Sequence, residues 1–329
     1  MLETIDTERF EGEVVGVAYG GESPEREVSL ETGQALAQAL RAREYEVAEY
    51  DLPADLDRLI DERPAAVLLA FHGGAGEDGT IQGFLDTLGI PYTGSGVAAS
   101  ALAMDKARAK SVLQRAGLMT PDWGRFPFGE ALQRGEDDWR EWLRREGLEV
   151  PVVVKPTHGG SSQHVAICES AGEIAQSASR IAEEVDRVDA AGGMVEEFVD
   201  GDHYTVGFFD DTCLGSLQVV PDEEFYDYEA KYESSETEYR PVEAERPDLA
   251  RRLEIAGRLA YDALGCRGVA RADFIARRDR GDEILHVLEV NTIPGMTASS
   301  LVPKLARQQG IGFEEFADLM LSAATCRRG

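Results

Sequence analysis

Lysine is scarce in this chain: Lys106, Lys110, Lys155, Lys231 and Lys304 are all it has in 329 residues. Lys and Arg together number 33 against 62 Asp and Glu, a formal net charge of −29 at pH 7. The clustered cations that neutralise nucleic-acid phosphates are missing, which argues against a nucleic-acid partner. Any anion-binding pocket must therefore be built locally, from few cations. Cysteine is sparse too. Cys168, Cys213, Cys266 and Cys326 show no metal-type spacing and read as small core or surface residues. No run approaches the roughly eighteen uninterrupted apolar residues of a membrane span. The opening MLETIDTERFEGE is acidic and polar where a secretory signal is basic and then apolar, so a cytoplasmic location is expected. The acidic, lysine-poor balance also suggests a salt-rich cytoplasm.

What is present is ordinary globular material. A hydrophobic content of 43% over this length is enough for two or three compact units. Val14 to Tyr19 and Val67 to Phe71 read as buried strands, with a helical pattern from Val28 to Leu40 between them. Such alternation predicts a parallel sheet with helices on its faces. A dinucleotide-binding unit is the rival reading, but the first turn is GVAYGGES and lacks GxGxxG. Further on, a helix is expected over Ala101 to Ala116, a strand over Val152 to Pro156 and a helix over Ala171 to Val188. MVEEF, TVGFF and LGSLQVV follow as strands, then an irregular tyrosine-rich stretch from Asp222 to Arg240. A helix near Asp248 to Leu264, the strands VARADFIA and ILHVLEVN, and a C-terminal helical region complete the pattern. There is no internal repeat and no low-complexity linker.

Chemistry concentrates in the two late strands. Arg271 and Asp273 are two apart, as are Glu289 and Asn291, and i,i+2 residues share a strand face. If these strands pair, four polar groups converge while Val269, Phe274, Val287 and Leu288 help fill the core. Oxygen ligands of this kind suit a hard cation such as Mg²⁺, and an arginine among them can stabilise a transferring phosphoryl group. A surface salt-bridge network is the plainer alternative. VVVKPTHGGSSQHV offers backbone N–H groups and Lys155 to phosphate oxygens, although many hairpins look alike. Two glycine-rich turns, GGESPEREVSL and FHGGAGEDGTIQG, each follow a predicted strand. They place Glu25 and His72 at the edge where ligands bind in open α/β sheets. A helix N-terminal charge and a turn histidine are the bland readings of that pair.

Taken jointly, GGESPEREVSL, HGGAGEDGTIQGFLDTLGIPYTGSGVAASALAMDK, VVVKP with GGSS, FYDYEAKY, RADF and LEVNTIPGMTASSLVP resemble the D-alanine–D-alanine ligase family. The resemblance runs from about Val14 to the C-terminal helix. It implies an α/β, three-domain ATP-grasp fold, with an N-terminal open parallel α/β domain and two α+β domains clamping the nucleotide. The implied units are residues 1–99, 100–199 and 200–329, the last carrying the metal site. The implied activity is ATP-dependent joining of two D-alanines through an acyl phosphate, for peptidoglycan precursors, by a homodimer. A ligase taking D-lactate or D-serine second, and a non-catalytic relative, are the alternatives.

The resemblance also implies roles. Glu25 holds the ammonium of the first D-alanine and bonds toward Ser161 and Tyr232, and His72 lies near that substrate. Lys106, Lys155 and Lys231 contact ATP, with Ser162, Glu196, Glu197, Val199, His203 and Phe225 completing the nucleotide site. Asp273, Glu289 and Asn291 bind two Mg²⁺ ions (Mn²⁺ being possible). Arg271 and the Gly295 N–H stabilise the tetrahedral intermediate, while Ser300 and Leu301 receive the second carboxylate. Three positions depart from the pattern: Gln163 with His164, Glu197 in place of a lysine near adenine, and His203 in place of a glutamate at the ribose. Glu197 in place of a cation puts negative charge near a polyanion, and with the net charge of −29 behind it this predicts a KM for Mg·ATP that falls as salt rises.

Overall fold

The computed structural model describes residues 6–159, 164–185, 192–220, 237–279 and 282–326. Its first sheet is parallel, in the order β2-β1-β3, from β1 (Val14–Gly20), β2 (Glu46–Leu52) and β3 (Val67–Leu69). Val15 and Val17 are fully buried, and the helix Arg26–Ala42 packs over them with Leu36 and Leu40. At the carboxyl end of β1 the chain turns through Gly20, at φ +99°. A Cβ there would stand 2.3 Å from the Asp51 carboxylate, so only glycine lets the turn close. This turn delivers Glu25 to the start of the helix. β3 is shorter than the VLLAF run predicts; Ala70 and Phe71 are buried but lie beyond its end.

The second sheet is antiparallel, in the order β4-β7-β5-β6. It contains β4 (Trp123–Pro127), β5 (Val152–Pro156), β6 (Ala166–Cys168) and β7 (Gly192–Glu197). Helices Glu136–Glu146 and Ala171–Glu184 cover one face with Trp139, Trp142, Ile174 and Ile181. Val152 and Val154 point into that core. Val153 and Lys155, on the alternate face, line a cavity.

The third sheet is antiparallel in the order β10-β9-β8-β11-β12. Its members are β8 (Asp202–Phe209), β9 (Thr212–Val220), β10 (Glu238–Pro241), β11 (Val269–Asp279) and β12 (Asp282–Asn291). Ala270, Ala272, Phe274 and Ala276 alternate toward the helix Pro247–Leu264. The expected helix over Ala101 to Ala116 is in fact two, Val97–Met104 and Lys106–Arg115. Asp105 separates them: its backbone is extended (φ −83°, ψ 93°), and its carboxylate accepts from the Arg108 N–H as an N-cap. Both short helices join the core of the third sheet. The C-terminal helices Leu301–Gln308 and Phe313–Ser322 share one core with β1, the helix Arg26–Ala42 and Phe209. They thereby dock the parallel sheet against the third sheet.

Candidate active site

A cavity of about 410 Å³ opens where the three sheets meet. Its first wall is β11 and β12. Their register sets Arg271 opposite Asn291 and Asp273 opposite Glu289, with a slip between Asp273 and Phe274. The paired strands expected from the sequence are present, and all four polar side chains line the cavity. Leu288, expected in the core, is displaced by the slip and lines the cavity as well. Asp273 is held on every side. Arg271 Nε and Nη2 donate to it at 2.9 and 2.8 Å, Thr205 Oγ1 at 2.7 Å and Asn291 Nδ2 at 3.1 Å. Two carboxylates and a carboxamide make an oxygen donor set, the chemistry a hard divalent cation takes. Among the described residues no three His, Cys, Asp or Glu close on one point.

The second wall comes from the parallel sheet. Glu25 is 6% exposed and its side chain makes no cap bond to the helix it precedes; it lines the cavity instead. Its Oε2 lies so near Gly73 that a Cβ there would come within 3.0 Å. His72 is 4% exposed, with Nε2 3.1 Å from Thr32 Oγ1. Burial, helped by the Arg271 charge, lowers its pKa to about 4, so the imidazole is neutral at pH 7. Gly295 is close by: a Cβ on it would meet Ser300 Oγ at 3.0 Å and His72 Cε1 at 3.8 Å. Ser300 accepts from the Thr297 N–H at 3.1 Å, and Leu301 lines the cavity beside it.

The third wall carries the cations. Lys106 Nζ reaches the Gly159 carbonyl and lies 3.9 Å from Glu289. Lys155 donates to Glu196, whose other oxygen is 3.0 Å from Lys110. Burial opposes charge on Glu196, but two ammonium groups outweigh it and hold its carboxyl below the usual range. Val199 and His203 line the cavity too. Glu197 lines it but is not unopposed: Arg277 Nη1 lies 2.5 Å from its Oε1. The acid at this position is thus ion-paired with Arg277. Ser161, Ser162, Gln163, Phe225, Lys231 and Tyr232 fall outside the described residues.

Four participants escaped the sequence reading. Thr205 and Arg277 reach their partners across strands or sheets, and Lys110 reaches Glu196 from a helix, so local spacing gives no sign of them. Glu77 lines the cavity, and burial together with the Glu25 carboxylate pushes its carboxyl up to about 8. Its place in FHGGAGEDGTIQG was the available signal.

A family described as D-ala D-ala ligase C-terminus matches residues 112–322, and one described as D-ala D-ala ligase N-terminus matches residues 53–95. The chain belongs to the D-alanine–D-alanine ligase family. It is 42% identical over 321 residues to the D-alanine–D-alanine ligase of Anaeromyxobacter sp. (strain Fw109-5), covering 97% of this chain and 99% of that one. With the ligase of Geotalea uraniireducens (strain Rf4) it shares 41% over 314 residues, or 95% and 96% of the two chains. Among solved structures, the Bacillus anthracis ligase complexed with ATP matches with a TM-score of 0.78 at 32% identity, covering 95% and 97%. The expected ATP-grasp ligase architecture is therefore the one observed.

Proposed function

We propose that this protein catalyses the ATP-dependent joining of two D-alanine molecules into D-alanyl-D-alanine, with release of ADP and phosphate. The observation that carries the reading is one cavity shared by Glu25 and His72, by Lys106 and Lys155, and by the Arg271–Asp273–Glu289–Asn291 face. Glu25 holds the ammonium of the first D-alanine, and neutral His72 adds a polar contact without competing charge. Lys106 and Lys155 hold phosphate oxygens, with Lys155 aimed by Glu196. Val199, Glu197 and His203 line the nucleoside end. Arg271 and the Gly295 N–H stabilise oxyanions as the first carboxylate attacks the γ-phosphate and the second amine attacks the resulting acyl phosphate. Ser300 and Leu301 seat the second D-alanine. Positioning supplies much of the rate, so exclusion of water by Ser161, Tyr232 and the segment around them belongs to the same reading.

Asp273, Glu289 and Asn291 would hold Mg²⁺, which neutralises charge on the transferring phosphoryl group. Units at 1–99, 100–199 and 200–329 fit the fold, since each sheet lies within one of them. Family membership supports a homodimer acting in the cytoplasm to supply peptidoglycan precursors. Among the described residues no helix is long and apolar enough to cross a membrane.

The test is ADP release with D-alanine alone, and with D-alanine plus D-lactate or D-serine, with the product identified by mass. Stoichiometric ADP and D-alanyl-D-alanine from D-alanine alone is the expected result. Dependence of ADP release on D-lactate or D-serine, or its absence, would overturn the reading.

A further inference from the structure

Among the described residues the cavity lining is acidic: its carboxylates outnumber Lys106, Lys155 and Arg271. A nucleoside triphosphate is itself a polyanion, so the wall must be compensated from somewhere. The compensation stands one layer back, on residues outside the lining. Lys110 is 3.0 Å from Glu196, Arg277 is 2.5 Å from Glu197 and Arg278 is 3.2 Å from Asp202. Arg277 and Arg278 are both on β11, a few residues past Asp273. The Arg277–Glu197 pair also crosses from the third sheet to the second, between strands 80 positions apart. Beside it His286 is 1% exposed, and burial together with Arg277 keeps its pKa low, so it adds no cation.

We propose that Arg277 is a positioning residue of the nucleotide site. It holds Glu197 from behind the wall and cancels its charge toward the phosphates. Glu197 then presents a fixed polar acceptor to the cavity and not a repelling anion. The physical basis is range: the field of a lone carboxylate falls slowly with distance, whereas that of a close ion pair is dipolar and falls steeply. Both side chains are about one-third exposed, so the pair adds little to stability and acts mainly on the local field. The inference rests on the nucleotide-site reading above.

A double-variant cycle tests it through equilibrium binding, without turnover. Calorimetry measures the Kd of Mg·AMP-PNP, a non-hydrolysable ATP analogue, at about 0.05 M and about 1 M KCl. R277Q should weaken binding roughly three- to tenfold at low salt, and the loss should shrink at high salt. E197Q alone, which leaves Arg277 uncompensated, should tighten binding. E197Q/R277Q should return close to wild type, and R277K should rescue R277Q. Thermal melts of each variant confirm the fold. Wild-type affinity in R277Q at low salt would overturn the inference, as would a double variant as weak as R277Q. Wild-type protein that binds no Mg·AMP-PNP would instead remove the nucleotide-site reading, and the inference with it.

Discussion

Asp273 and Glu289 face each other directly across β11 and β12, and the ladder slips by one residue immediately beyond them. The slip returns Val287 to the core while Leu288 stays on the cavity side, so one strand serves both layers. If the facing carboxylates hold Mg²⁺, D273N and E289Q should each lower ADP release by roughly a hundredfold or more with the thermal melt retained. Near-normal turnover by either variant at ordinary Mg²⁺ would remove the metal assignment.

Thr205 Oγ1 donates to Asp273 at 2.7 Å and is itself 1% exposed. T205V keeps the shape and deletes the bond. A hydrogen bond to a charged group is worth about 1.5–3 kcal/mol at most, and part of it aims the carboxylate. The Mg²⁺ concentration for half-maximal rate should rise roughly ten- to a hundredfold. An unchanged Mg²⁺ dependence would reduce Thr205 to a packing residue.

Lys110 is fully buried against Glu196. Removing one partner of a buried pair leaves a desolvated charge, at a typical cost of about 3–5 kcal/mol. K110M should lose stability of that order in urea unfolding at pH 7. A loss below about 1 kcal/mol would mean that Lys155 satisfies Glu196 alone.

His72 carries a pH dependence whose sign follows from burial. Its pKa falls from 6.5 to about 4 on folding, so between these values the unfolded chain binds more protons than the native one. Stability associated with His72 is therefore complete above pH 6.5 and declines as pH falls, by about 2 kcal/mol at pH 5. H72Q should flatten that part of the acid limb in urea titrations at pH 7 and pH 5. An acid limb identical in both proteins would show that His72 titrates normally.

Much of this site is local in origin, and to that extent the sequence determined it. The i,i+2 pairs Arg271/Asp273 and Glu289/Asn291 mark one strand face by the period of the β-strand alone. Glycine-rich turns after β1 and β3 likewise announce where Glu25 and His72 emerge, because turn chemistry is short-ranged. The break at Asp105 was not read, because helical periodicity across Ala101 to Ala116 masked the capping residue. Charge compensation was not legible. Glu197 read by itself is an acid in a phosphate-binding protein, and only the crossing of β11 past β7 brings Arg277 against it. Lys110 is one of five lysines, and nothing around it in the chain indicates that it is buried against Glu196. Electrostatic energy depends on distance and burial, which the packing of separate sheets decides and residue order does not.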